Sequence, residues 1–273
     1  MSNVSKLHVM LNYAICSVSV ASLRVAPAHT SEQCSQLLFG ERISVLDFNE
    51  ETAWARVRCD WDSYEGWCKM GQIQPIKSQR FGSKIRTFSS TQNGALLQDE
   101  QALWLPAGCE LDALRDAASF PQLSLFQGKF KGKKNRLDKI ETSEELLLQS
   151  AFSFRNAPYQ WGGRSLAGID CSGFTQMAFK LCGIPIPRDA SAQAKVGQDV
   201  HFLIEAKAGD LAFFDNDLGI ITHVGMILDT ETILHATDTA GRVVVDKIDP
   251  AGIISRSLKM RTHRLRLIRR VMQ

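Results

Sequence analysis

Apolar residues at Phe174, Met177, Ala178 and Leu181 fall at helical spacing and predict a helix that Asp170 can cap and Gly183 ends. A second helix is predicted from Thr142-Ser143-Glu144-Glu145-Leu146-Leu147-Leu148, with Ser143 or Thr142 as its N-cap. Elsewhere the pattern is that of strands. Thr222 to Leu228 is a short apolar run, Asp229-Thr230-Glu231-Thr232 supplies turn residues, and Ile233-Leu234-His235-Ala236 starts again, so the segment predicts a hairpin. Leu265-Arg266-Leu267 alternates as a final strand would. Near the N-terminus, Val18 to Pro27, Ser35 to Glu41, Ile43 to Leu46, Trp54 to Arg58 and Gly66 to Lys69 are short strands divided by turn signals, a spacing that suggests a small barrel. A similar, weaker pattern runs from Ile85 to about Lys139.

The predicted helix starts at a cysteine. Cys171 lies in its first turn, where unpaired backbone N–H groups and the positive end of the helix dipole favour a thiolate, the form that attacks carbonyls. The base expected for it is His223, on the first strand of the hairpin. His235 follows twelve residues later. An even separation across a turn near Asp229 puts both histidines on one side, as opposite or diagonal neighbours. His235 is then placed to orient His223, a Cys-His-His relay whose third member fixes the tautomer of the base. Taken singly, a helix-start cysteine is ordinarily a small buried apolar residue, and a strand histidine an ordinary polar one. The set of three in this order points to nucleophilic catalysis.

Length and composition bound the alternatives. A chain of 273 residues, 44% hydrophobic and 22% charged, is long for one domain and predicts two or three. A formal net charge of +3 is too small to argue for nucleic acid, and none is expected as a partner. The basic stretch Lys129 to Lys139 reads as a solvated loop and Arg256 to Arg270 as the final strand. The seven cysteines are scattered, without Cys-x-x-Cys spacing, and suggest neither zinc nor a disulfide framework. Thiols in such number fit a reducing compartment, and a cytoplasmic location is expected. Val9 to Leu23 competes as a signal peptide, but Asn12, Tyr13 and the alternating Ser17-Val18-Ser19-Val20 read better as strand. No run approaches the ~18 apolar residues of a membrane span.

Asp170-Cys171-Ser172-Gly173-Phe174 and His223-Val224-Gly225 resemble the signatures of the NlpC-type cell-wall peptidases, a papain-like family. Tyr159-Gln160-Trp161-Gly162-Gly163, Pro187-Arg188-Asp189-Ala190-Ser191-Ala192-Gln193 and Ala208-Gly209-Asp210-Leu211-Ala212-Phe213-Phe214 resemble further motifs of that family. Ala208 stands where proline is usual and Ala190 where serine is common, which removes a hydroxyl contact at position 190. Leu23-Arg24 to Pro27 and Tyr64-Glu65-Gly66-Trp67 resemble a bacterial SH3-like domain. The resemblance implies an α+β chain: an SH3-like β-barrel over 1–78, a second, diverged one over 79–142, and a papain-like catalytic domain over 143–273.

This architecture resembles the γ-D-glutamyl-L-diamino acid endopeptidases, which cut murein peptides between D-Glu and the diamino acid and require a free N-terminal L-Ala. By resemblance, Tyr64 and Asp189 meet the L-Ala ammonium, Glu32 is a further acidic contact, Tyr159 sits beside the developing oxyanion and Trp161 walls the groove. A fixed carboxylate beside a buried ammonium discriminates against a blocked amine, because blocking leaves the acceptors of the site unpaired. Murein peptides are the expected partner, with no metal or other cofactor and no membrane. Two other readings stay open: a wall-peptide-binding module that retains the fold as scaffold, and another thiol amidase or acyltransferase on the same fold.

Overall fold

Alternation along Trp54-Ala55-Arg56-Val57-Arg58-Cys59 buries Trp54, Ala55, Val57 and Cys59 and leaves Arg56 and Arg58 in solvent, as a half-buried strand requires. The computed structural model describes residues 12–76, 86–98, 101–115 and 128–272. Val9, with which the competing signal-peptide segment opens, and part of the 79–142 segment lie outside them. The chain divides into two units, Met1–Ile140 and Glu141–Gln273.

In the first unit seven strands form one antiparallel sheet: β1 (Tyr13–Cys16), β2 (Val20–Arg24), β3 (Gln33–Leu38), β4 (Arg42–Asn49), β5 (Trp54–Cys59), β6 (Glu65–Lys69) and β7 (Ile73–Pro75), in the order β3-β2-β6-β5-β4-β1-β7. Its core includes Ala14, Ala21, Leu23, Leu37, Ile43 and Val57. The segment that competes as a signal peptide therefore supplies β1 and β2, with β1 hydrogen-bonded to both β4 and β7.

The same unit continues through β8 (Thr87–Ser89), β9 (Gly94–Gln98), β10 (Gln101–Leu105), β11 (Lys129–Lys131) and β12 (Lys134–Arg136). Three of these pair in the order β10-β9-β11, and β12 pairs β8. The lysine-rich stretch is thus strand rather than the expected loop: β11 and β12 gain backbone partners on β9 and β8, while Lys129, Lys131 and Lys134 stay exposed. A buried charge network ties this segment to the first sheet. The Glu110 carboxylate accepts from Arg42 Nε at 3.3 Å and from Arg86 Nη1 at 2.8 Å, and Arg86 also binds Asp60.

The second unit opens on the helix Glu144–Phe152, whose Ser143 Oγ accepts from the Leu146 N–H. The Cys171 helix follows, Cys171–Leu181, buried along its whole length, and then one turn over Ala190–Gln193. A two-residue pair, β13 (Arg164–Ser165) and β14 (Gly168–Ile169), precedes the Cys171 helix. The sheet comprises β15 (Gln198–Val200), β16 (Leu211–Asp215), β17 (Ile221–Asp229), β18 (Thr232–Thr237), β19 (Arg242–Asp249), β20 (Gly252–Ser255) and β21 (Met260–Arg270). Their order is β15-β21-β16-β17-β18-β19-β20, and β20 also pairs β21, which closes six strands on themselves.

Phe214, Ile227, Ile233, Ile248, Ile253 and Ile268 belong to the apolar cluster that these strands enclose. The Cys171 helix packs against β17 and β18. The arginines of β21 are held by carboxylates: Arg261 by Asp249, Arg264 by Asp215, Arg269 by Asp199 and Arg270 by Asp210. The Arg261–Asp249 pair, exposed on both sides, stabilises little by itself. Among the described residues, no helix is long and apolar enough to cross a membrane.

Candidate active site

Asp170 caps the Cys171 helix with its side chain, Oδ1 accepting from the Gly173 N–H at 2.7 Å. Its other oxygen accepts from the Gly162 N–H at 2.7 Å, and Arg188 closes a two-pronged ion pair on it at 3.0 and 2.7 Å. Carboxylate and guanidinium are both buried. The Gly162-Gly163 loop is thereby drawn onto the helix start so closely that a Cβ at Gly173 would meet the Gly163 carbonyl oxygen at 2.2 Å. Only glycine permits that approach.

Cys171 is buried, and its thiol lies near the backbone N–H of Val224, the residue after His223. Its ionisation departs from what a helix start alone predicts. Burial and then the Asp170 charge push the thiol up to about 12, against the pull of the Val224 and Ser172 N–H groups and of Arg188. The expectation of a resting thiolate is therefore corrected: the capping carboxylate that makes the helix start also opposes the anion beside it. Cys171 is therefore expected to keep its proton until it attacks. Alkylation of Cys171 by iodoacetamide, followed by peptide mapping, is expected to accelerate with pH beyond pH 10. A plateau by pH 8 would show a preformed thiolate.

His223 and His235 are brought together as diagonal neighbours of the β17–β18 hairpin. The register Met226↔Leu234, continued toward the start of β17, sets His235 opposite Gly225. A Cβ at Gly225 would come within 2.9 Å of the His235 Cβ, so the missing side chain makes room for that ring. His223 Nε2 lies 2.9 Å from His235 Nδ1. Burial, then the neighbouring His263 and His235, hold His223 well below its ordinary pKa, so the free site contains a neutral imidazole.

Two residues join this pair that sequence reasoning passed over. His235 Nε2 lies 3.2 Å from Asp246 Oδ2, both side chains being buried. His263 stacks on His223 with ring centroids 4.1 Å apart and planes 26° from parallel. Burial is the first cause lowering His263 to about 4. Each carried a signal: Asp246 is a buried charge in the apolar run that starts at Val243, and His263 has the parity of Leu265 and Leu267.

Tyr159 is bridged to Ile169, the residue before the capping Asp170. Burial, then the charges of Cys171 and Asp170, raise its phenol, which stays protonated and able to donate. Trp161 is 57% exposed, on the loop whose glycines meet the helix start. Asp189 is exposed, next to the buried Arg188, and among the described residues its carboxylate does not cap the turn it precedes. Tyr64 and Glu32 belong to the first unit. Tyr64 packs against the barrel core just before β6, and exposed Glu32 precedes β3, both at the end of the sheet where β2 reaches Arg24. Among the described residues no group of three or more His, Cys, Asp and Glu side chains is arranged to hold a metal.

Residues 156–262 match the model of the NlpC/P60 family, and residues 23–73 match that of the bacterial dipeptidyl-peptidase Sh3 domain. A γ-D-glutamyl-L-lysine dipeptidyl-peptidase of Bacillus subtilis is 34% identical over 228 residues, covering 77% of this chain and 74% of that protein. The chain belongs to the NlpC/P60 family.

This NlpC/P60 member is therefore a cysteine peptidase of the cell-wall type, with an SH3-like domain in its N-terminal unit. It is also 26% identical to dipeptidyl-peptidase 6 of Lysinibacillus sphaericus, over 86% of this chain and 92% of that one. A crystal structure of an NlpC/P60 family protein from Bacillus cereus shares the fold, with a TM-score of 0.76 and 21% identity over 96% of this chain and 100% of that chain. Cys171, His223, His235 and Asp246 all fall within the span matched by the NlpC/P60 model, and Glu32 and Tyr64 within that of the Sh3 domain.

Proposed function

We propose that this protein hydrolyses the bond between the γ-carboxyl of D-Glu and a diamino acid in murein peptides that carry a free N-terminal L-Ala. The observation that carries this reading is the 2.9 Å contact of His223 and His235 on the two strands packed against the Cys171 helix. The activity named for the Bacillus subtilis relative supports the choice of bond. In the mechanism, Cys171 Sγ attacks the γ-amide carbonyl carbon as its proton passes to His223. The C–N bond then breaks, and the imidazolium returns that proton to the leaving α-amine. Water, deprotonated by His223, cleaves the thioester and releases the glutamyl carboxylate and the thiol. The Tyr159 phenol donates to the oxyanion while it exists, and Trp161 lines the groove.

Selection of the free amine is assigned to Asp189. The uncommitted carboxylate of Asp189 supports this, since it has no capping task of its own among the described residues. The 79–142 segment is assigned to a second, diverged SH3-like β-barrel, a reading supported by the short antiparallel strands among its described residues. The enzyme is placed in the cytoplasm, acting on recycled wall peptides, a reading supported by seven free thiols and by the use of residues 13–24 as β1 and β2. A mature start near residue 28 in a secreted fraction would overturn that placement.

The deciding measurement is mass spectrometry of products from L-Ala-γ-D-Glu-diaminopimelate, its lysine counterpart and their N-acetylated forms. The free-amine peptides are expected to release L-Ala-D-Glu and the acetylated ones to be poor substrates. Asp189→Ala is expected to lower kcat/KM on the free-amine peptide by about one to two decades, the worth of a charge-assisted hydrogen bond. The acetylated peptide loses little further. Equal cleavage of both forms by the wild type would replace this reading with a broader wall hydrolase, and binding without cleavage with a recognition module.

A further inference from the structure

The His223–His235 contact leaves open which nitrogens carry protons, and the structure holds a group that decides it. Asp246 Oδ2 is 3.2 Å from His235 Nε2, while Asp246 Oδ1 accepts the Arg256 backbone N–H at 2.8 Å. Burial works to raise this carboxyl, but the contacts from His235 and Arg256 outweigh it and hold the group below its ordinary pKa. An ionised carboxylate only accepts. The nitrogen facing it, His235 Nε2, must then carry hydrogen, which in the neutral imidazole leaves His235 Nδ1 as an acceptor. His223 Nε2 faces that acceptor at 2.9 Å and must donate to it. The remaining nitrogen of a neutral His223, Nδ1, is then bare. That is the lone pair a general base requires.

We infer that Asp246 is a positioning residue that sets the tautomers of both histidines, extending the relay to Cys171, His223, His235 and Asp246. It acts at two removes from the substrate. His263 lies against the ring face of His223 at 4.1 Å and leaves the in-plane nitrogens to the relay. The inference rests on the assignment of His223 as base in the proposed hydrolysis, so its test includes a reading that needs no activity.

The register of the carboxylate makes the test sharp. In Asp246→Asn the amide oxygen keeps the Arg256 N–H, which turns the amide NH2 toward His235. His235 Nε2 must then accept, its hydrogen moves to Nδ1, and His223 is driven to the tautomer with hydrogen on Nδ1. The near-isosteric change is the damaging one. Asp246→Ala imposes no tautomer, because water can fill the vacated place and donate or accept.

Kcat on the free-amine peptide is therefore expected to fall by about a hundredfold or more in Asp246→Asn, as when a triad histidine is held in the wrong tautomer. In Asp246→Ala the expected loss is on the order of tenfold, with KM nearly unchanged in both. A residue that merely packs would give the reverse order, asparagine being the milder change. Nitrogen-15 NMR of the imidazoles, on wild type and on Cys171→Ala, is expected to show hydrogen on Nε2 of both His223 and His235.

Hydrogen on Nδ1 of either histidine in the wild type overturns the inference, as does an Asp246→Asn enzyme at least as active as Asp246→Ala. If the wild type cleaves no wall peptide, the proposed function fails, and the NMR assignment still decides the tautomers. The wild-type reading also stands if either variant fails to fold, which thermal melting reports.

Discussion

Cys171→Ala is expected to leave hydrolysis of the free-amine peptide at least about ten-thousandfold below wild type, the scale seen when a covalent nucleophile is removed. The fold survives the change. Only Sγ is lost from a side chain at the helix start, and the Asp170 cap, its bond to Gly173 and the ion pair with Arg188 do not use that atom. Cys171→Ser is expected to be nearly as poor. Burial and the neighbouring Asp170 already oppose a sulfur anion, and an alkoxide there is far harder to form. His223→Ala loses on the order of a thousandfold, the contribution of a positioned general base. Steady-state assays on purified variants, with circular dichroism to verify folding, measure these losses. Substantial turnover by Cys171→Ala, with contaminants excluded, would return the protein to the wall-binding reading.

The second large effect is structural. Arg188→Met is expected to destabilise the C-terminal unit by about 3–5 kcal/mol, because it removes one partner of a buried ion pair and leaves Asp170 without its cation. The Gly162 and Gly173 N–H groups still reach Asp170, so the loss is felt mainly as an uncompensated charge. Replacing both partners, Asp170→Asn with Arg188→Met, should recover much of the stability and little of the activity, since the cap is weakened at the residue before the nucleophile. Chemical denaturation of the two variants reads this directly. A single variant as stable as wild type would mean that water reaches Asp170 in solution.

The local parts of the site were legible because they repeat over a few residues. Phe174, Met177, Ala178 and Leu181 lie three and four apart, so the helix and its Asp170 cap followed from spacing. The parity of His223 and His235 followed from the hairpin turn, as did Ser143 as a cap from the polar run before Leu146. What escaped depends on partners distant in the chain. Asp246 acquires a role only once β19 pairs β18, and His263 only once β21 takes its place beside β16 and β20. The thiol was misjudged for a related reason. A helix start is a local feature, whereas the burial that first raises the Cys171 thiol is made by elements distant in the chain, β17 and β18 packed on the helix.

The lysine-rich stretch showed the limit of composition. The strand pattern in Lys129 to Lys139 is weak beside its run of positive charge, and the strands exist because β9 and β8 offer backbone partners to them.

The Glu110 network decides how freely the N-terminal sheet can be handled as an exchangeable part. Arg42 opens β4 and is buried, and Glu110, which answers its charge, lies in the following segment. Glu110 also presses its carbonyl against Gly40 in the turn before β4, where a Cβ would come within 1.8 Å. A graft of residues 12–76 alone onto another enzyme would carry a guanidinium whose counter-charge had been left behind. Domain shuffling of this protein therefore keeps Arg42 paired only when the chain is taken past Glu110, and a swap cut after the first sheet leaves that buried guanidinium uncompensated and the sheet less stable.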